Sequence, residues 1–148
     1  MISQTIEYAL RAMAHLATLE EGRAVNSETI AEHTHVPRGY LSKVLRDLVV
    51  AGLVDSQRGP NGGFALARAA SDISILDVVN AVDPIARITE CPLGNPAHAQ
   101  LCPLHRRLDD ALQTIEQQFR DTSLEDLQKT NSRATVCREL GATSRKKQ

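Results

Sequence analysis

Between a helical pattern that ends in Ala51-Gly52-Leu53-Val54 and a polar stretch beyond it, the chain reads Arg58-Gly59-Pro60-Asn61-Gly62-Gly63-Phe64-Ala65-Leu66-Ala67-Arg68-Ala69. Three glycines, a proline and an asparagine fall within positions 59–63, which excludes a helix there and demands a tight reversal between two short apolar stretches. An arginine stands at each flank. A helix followed at once by a short, arginine-flanked hairpin is the constraint that the rest of the chain has to satisfy.

The segment before the hairpin supplies helices. Ile6, Ala9, Leu10, Met13, Leu16 and Ala17 recur at helical spacing and predict a first helix from Ile2 to about Leu19, with Glu7 and Arg11 one turn apart on its other face. Gly22-Arg23-Ala24-Val25 breaks it, and Asn26 or Ser27 caps a short second helix through Ile30 and Ala31. His33-Thr34-His35-Val36-Pro37 is read as a turn, because the residue before a proline disfavours the helical region. A third helix from Pro37 or Arg38 to Ala51 buries Leu41, Val44, Leu45 and Leu48 and exposes Arg38, Ser42, Lys43 and Arg46. Two helices, a turn and a hairpin in this order predict a mainly α fold with a small β-wing, the winged helix-turn-helix.

Such a unit points to double-stranded DNA. The third helix would enter the major groove, where Arg38, Ser42, Lys43 and Arg46 reach base edges or flanking phosphates and Tyr40 bonds a phosphate from the helix start. The wing would add Arg58, Gly59, Asn61 and Gly62, its glycines allowing the backbone close to a phosphate chain and its arginines adding charge. The charge argument is local. The 148 residues carry 17 basic against 18 acidic side chains, yet from Val36 to Arg46 the basic residues Arg38, Lys43 and Arg46 face no acid at all. Aromatic residues make up 3% of the chain, too few for stacking on single-stranded bases. No apolar run approaches a membrane span and no secretory pattern opens the chain, so a cytoplasmic protein without disulfides is expected. No catalytic Ser-His-Asp order, phosphate-cradling loop or close acid pair stands out, and His15, His33 and His35 read as surface or packing residues; no enzyme is expected.

Beyond the wing, Ser74-Ile75-Leu76-Asp77 reads as a capping box that opens a short helix through Val82, ended by Asp83-Pro84. A loop from Cys91-Pro92 to Cys102-Pro103 then holds two thiols with His98 and His105 close by, donors that suit an iron-sulfur cluster or zinc. The spacing is not that of a structural zinc motif, and plain half-buried thiols are the alternative. Cys137, in a polar tail, is not expected to be a ligand. From Pro103 to Phe119 or Arg120 a long helix carries Leu104, Leu108, Ala111, Leu112, Ile115 and Phe119 on one stripe. Pairing with its copy would make a homodimer able to read a pseudopalindromic operator, and packing on the first helix is the alternative. Ser123-Leu124-Glu125-Asp126-Leu127 is a further capped turn. The expected organisation is a DNA-binding unit at 1–83, a cysteine loop at 84–103, a dimerisation helix with a short capped helix at 104–128, and a disordered tail at 129–148.

The order Glu7-Tyr8-Ala9-Leu10-Arg11, Tyr40-Leu41-Ser42-Lys43-Val44-Leu45, Gly52-Leu53-Val54, the Arg58-Gly59-Pro60-x-Gly62-Gly63 wing and a cysteine loop before a long helix resembles the bacterial winged-helix iron-sulfur transcription regulators that include IscR and NsrR. The resemblance covers about Met1 to Leu127. It implies a dimeric transcription factor, more often a repressor, that senses redox state or nitric oxide through a cluster; members without a cluster also exist, switched by a protein partner or by thiol oxidation. Cluster-binding relatives carry three cysteines in this loop. Here Cys91 and Cys102 match the outer two, and the middle position falls near Ala97 or His98. The resemblance offers three further ligands: His98 in place of the missing thiolate, His105 as the counterpart of a family histidine ligand, and Glu7 of a partner subunit as the counterpart of an acidic first-helix ligand. Two cysteines with nitrogen or carboxylate ligands favour 2Fe-2S over 4Fe-4S.

Overall fold

The computed structural model describes residues 2–94, 97 and 100–131; His98, Cys137 and the tail from 132 onward lie outside the described residues. The order is α1 (Gln4–Ala17), α2 (Ser27–Thr34), α3 (Arg38–Val50), β1 (Val54–Gln57), β2 (Gly63–Leu66), α4 (Ile75–Val82), α5 (Pro103–Asp121) and α6 (Leu124–Asn131). Local chemistry sets the helix starts. The Ser3 hydroxyl accepts from Ile6 N–H, Asn26 from Thr29 N–H, and Ser74 and Asp77 form a reciprocal capping box. α2 runs past the expected Ala31 to Thr34, whose buried hydroxyl donates to the Ile30 carbonyl at 2.6 Å; the chain then reverses through His35 at φ 55°. α3 ends where Gly52 takes φ 76°, with Gly52 N–H on Val49 and Leu53 N–H on Leu48, a Schellman closure that drives Leu53 into the core.

One core gathers the apolar faces of α1, α2, α3 and α4. Ala9, Ala12, Met13, Ile30, Leu48, Ile73, Val78 and Val79 are fully buried, and the small alanines of α1 let its neighbours pack closely. β1 and β2 form an antiparallel hairpin in the register Val54↔Leu66 to Gln57↔Gly63. Val25, just before α2, adds an antiparallel bridge to Phe64 with both backbone hydrogen bonds, at 3.0 and 2.7 Å, so the wing is bound to the helices at its base.

α5 stands apart from that core, with none of its residues buried. The chain returns at once: Ser123 bridges Ser74, Leu124 N–H donates to the Ile73 carbonyl, Ser123 and Asp126 cap α6, and Leu124 is buried beside α1. The Gln128 side chain donates to the Ala17 carbonyl at the end of α1. α6 therefore shares the core of the first unit, and α5 is an arm anchored at both ends.

Candidate nucleic-acid interface and cysteine loop

α3 presents the expected residues outward. Leu41, Val44, Leu45 and Leu48 are buried, whereas Arg38, Tyr40, Ser42, Lys43 and Arg46 are exposed. Pro37 at the N-cap makes no side-chain hydrogen bond to the first turn, so the helix start offers its backbone N–H groups to solvent or to an anion. Arg38 pairs with Glu28 at 3.0 Å, but both side chains are about two-thirds exposed, at 68% and 64%, so a phosphate can compete for it. Ser42 donates to the Arg38 carbonyl at 3.1 Å, while Lys43 and Arg46 form no ion pair among the described residues. Tyr40 meets the edge of Tyr8 at 5.6 Å between ring centroids, which ties the start of α3 to α1.

In the wing, Arg58, Gly59 and Asn61 are exposed. The glycines have different reasons for being there. A side chain on Gly62 would meet the Gln57 carbonyl at 2.3 Å and one on Gly63 the Val25 carbonyl at 2.2 Å; only Gly59, at φ 106°, faces open space. Two of the three glycines are thus required by close approach within the chain. Gly62 also spends its N–H on the Gly59 carbonyl, at 2.9 Å.

The cysteine loop enters α5 through Cys102, the helix N-cap, with Pro103 in the first turn. The Cys102 Sγ accepts weakly from His105 N–H at 3.5 Å and lies 3.1 Å from His105 Nδ1, so a soft donor and a borderline donor share one helix turn. Cys91, at the other end, is half-buried and its carbonyl accepts from Gly94 N–H. No group of three or more histidine, cysteine or carboxylate side chains gathers at one metal position among the described residues. Glu7 is far along the chain from this loop and pairs with Arg11 at 2.8 Å. Arg11 also donates to the Thr34 carbonyl at 3.4 Å and lies over the Tyr8 ring, which joins Glu7 to the turn of the helix-turn-helix.

A second polar cluster had no signal in the sequence. Arg87, between α4 and the loop, makes a bidentate pair with Asp109 at 2.7 Å for both bonds and a third bond to Glu116 at 2.9 Å; Ile88 N–H also donates to Asp109. Hydrogen bonding to Arg87 and then to Ile88 holds the Asp109 carboxyl at about 2. The stretch before the cysteine loop is thereby fixed to α5. Nearby, Ile2, Ile6, Pro84, Ile85, Leu112 and Phe119 line a groove of about 160 Å³. The far end of the α5 stripe is open to solvent, with Leu104 63% and Leu108 48% exposed.

A helix-turn-helix with a wing, an outward basic recognition helix and an appended arm defines a DNA-binding transcriptional regulator of the winged-helix class. The chain belongs to the Rrf2 family of iron-dependent transcriptional regulators, whose pattern it matches over residues 2–130. It is 33% identical over 131 residues to a helix-turn-helix-type transcriptional regulator of Aquifex aeolicus, covering 86% of this chain and 90% of that one. A Mycobacterium tuberculosis regulator of the same type is 39% identical over 95 residues, 64% of this chain and 59% of that one. Among solved structures, T. potens IscR matches with a TM-score of 0.77 and 25% identity over 92% of this chain and 91% of its own. CymR, the global cysteine regulator of B. subtilis, matches with a TM-score of 0.66 and 29% identity over 86% and 95%. These relatives are regulators, not enzymes. No described helix is long and apolar enough to cross a membrane.

Proposed function

We propose that this regulator is a homodimeric repressor that senses redox state or nitric oxide through an iron-sulfur cluster, 2Fe-2S rather than 4Fe-4S, held by the Cys91–Cys102 loop. The observation that carries the reading is the 3.1 Å approach of Cys102 Sγ to His105 Nδ1 at the start of α5, a thiol and an imidazole placed to bind one metal. Cys91 supplies the second thiolate. Glu7 of a second copy, the counterpart of an acidic first-helix ligand in relatives, completes the set. His98 remains a further candidate. When bound, the cluster supplies reversible one-electron chemistry.

The chain's own residues turn that state into DNA affinity. Arg87 fastens the loop's approach to α5, and Glu7 reaches the end of α2 through Arg11. α5 pairs with its copy through Leu104 and Leu108, which sets two recognition helices about one duplex turn apart. Arg38, Ser42, Lys43 and Arg46 read the major groove, Tyr40 takes a phosphate, and Arg58, Gly59 and Asn61 follow the backbone, with Gly62 shaping the wing tip. A coupling of about 1–3 kcal/mol between loop and DNA changes affinity by roughly 5- to 150-fold.

Likeness to both an IscR and a CymR gives a second reading: a cluster-free regulator switched by thiol oxidation or a partner, using the same Cys102. An absorption spectrum with iron and sulfide analysis of protein purified without oxygen separates them. Visible bands with equal iron and sulfide support the cluster; a colourless protein that resists reconstitution supports the thiol.

A further inference from the structure

The rings of His15 on α1 and His33 on α2 are stacked, with centroids 4.8 Å apart and planes 22° from parallel. His33 Nδ1 lies 2.8 Å from the Thr29 carbonyl one turn earlier in α2. A carbonyl only accepts, so Nδ1 carries the hydrogen and a further proton must add at Nε2. The His15 Nε2 is shut off from solvent and has no hydrogen-bond partner among the described residues. A neutral imidazole can leave an acceptor unused there at modest cost, whereas an imidazolium would bury an N–H with nothing to receive it.

His33 is exposed to solvent, whereas the described side chains around His15 offer no relief for added charge. α1 is packed by α2, α3, α4, α6 and β2, and the charged group that acts on His15 from among them is His33 itself. Arg11, one turn earlier on α1, is committed to Glu7 and the Thr34 carbonyl. No carboxylate pairs with either ring among the described residues. Burial, and then His33, hold the His15 imidazole below the usual histidine value.

We propose that the His15–His33 stack is a proton-operated latch that holds the first helix of the helix-turn-helix against α1, closed while at most one ring is charged and opened by the second proton. α2 also packs on α3, so opening the latch loosens the mounting of the recognition helix and lowers affinity for DNA. The latch works on the DNA-binding unit directly and stands independently of any cluster. Because the stacked His15 ring resists protonation, the closed state is fully favoured above the usual histidine value of 6.5 and weakens as the pH falls below it.

The test follows both rings of the full-length protein by proton NMR, assigned with His15→Phe and His33→Phe, together with amide exchange in α2. His15→Phe keeps a flat ring in the stack and removes its proton site. The His15 midpoint is expected below the usual histidine value in the wild type and should move up in His33→Phe, which removes the second charge from the stack. Between about pH 7.5 and about pH 5.5, α2 protection, corrected for intrinsic exchange, should fall about tenfold further in the wild type than in His15→Phe. A His15 midpoint that stays put in His33→Phe, or equal loss of protection in the wild type and His15→Phe, would overturn the latch. Should His15→Phe fail to fold, the His15 midpoint in the wild type and in His33→Phe decides.

Discussion

The Sγ of Cys102 lies 3.1 Å from Nδ1 of His105, within the first turn of the longest helix in the structure. Cys102 caps α5 and, in the proposed cluster, also serves as a soft ligand. Serine is among the best N-caps but a poor ligand for iron, so Cys102→Ser divides the two. The variant should unfold within about 0.5 kcal/mol of the wild type and contain no iron. Denaturant titration and metal analysis check both halves; iron retained in full would remove Cys102 from the ligand set.

Leu104 and Leu108 are the most exposed part of an apolar stripe whose other end, Leu112 and Phe119, lines a groove within the chain. In the proposed dimer, pairing of α5 with its copy covers the open end. Leu108→Asp would place a charge in that interface and should convert the dimer to a folded monomer at micromolar concentration, with affinity for a palindromic duplex reduced at least about tenfold. Sedimentation equilibrium reads the mass. An unchanged dimer would assign the interface to another surface.

The glycines of the wing should differ in their tolerance to alanine. At Gly63 the added carbon meets the Val25 carbonyl at 2.2 Å and φ is 141°, whereas at Gly59 only φ, at 106°, is unfavourable. Gly63→Ala is expected to cost roughly 2–4 kcal/mol and Gly59→Ala about 1–2 kcal/mol. Thermal unfolding ranks them, and equal costs would mean that the bond between Val25 and Phe64 does not persist in solution.

Acid should reveal the Arg87 cluster. The folded Asp109 carboxyl, held at about 2 chiefly by Arg87, lies below its ordinary 3.8. A depressed carboxylate contributes stability that is complete above the ordinary value and is lost as pH falls through the window from 3.8 to about 2. Asp109→Asn should therefore be less stable than the wild type at pH 5 and lose less on acidification to pH 2.5, as read from urea midpoints. Parallel pH profiles would show that the cluster contributes nothing in solution.

Much of this architecture is legible in the sequence because it is written locally. The α3 stripe of Leu41, Val44, Leu45 and Leu48, the Ser74–Asp77 capping box and the start of α5 at Pro103 depend on neighbours within a turn or two, so spacing and cap chemistry suffice. What the sequence hides depends on distant partners. Arg87 meets acids 22 and 29 residues away, Val25 pairs with Phe64, and α6 folds back onto α1 through Leu124. His15 and His33 read singly as surface or packing residues, and their stacking follows only from how α1 and α2 cross. The wing glycines read in the sequence as room for a phosphate chain, whereas Gly62 and Gly63 are required by contact with Gln57 and Val25, which only the fold shows.

The proposed switch rests on one link, from the state of the Cys91–Cys102 loop to the affinity of α3 for DNA. The direct measurement is a titration of anaerobically purified protein against a duplex selected by that protein from a random pool, before and after controlled oxidation, at one fixed salt concentration. A change in dissociation constant of roughly 5- to 150-fold is expected, abolished in Cys102→Ser and blunted in Glu7→Ala, with both variants still able to bind. Equal affinity in the two states of the wild-type protein would contradict it.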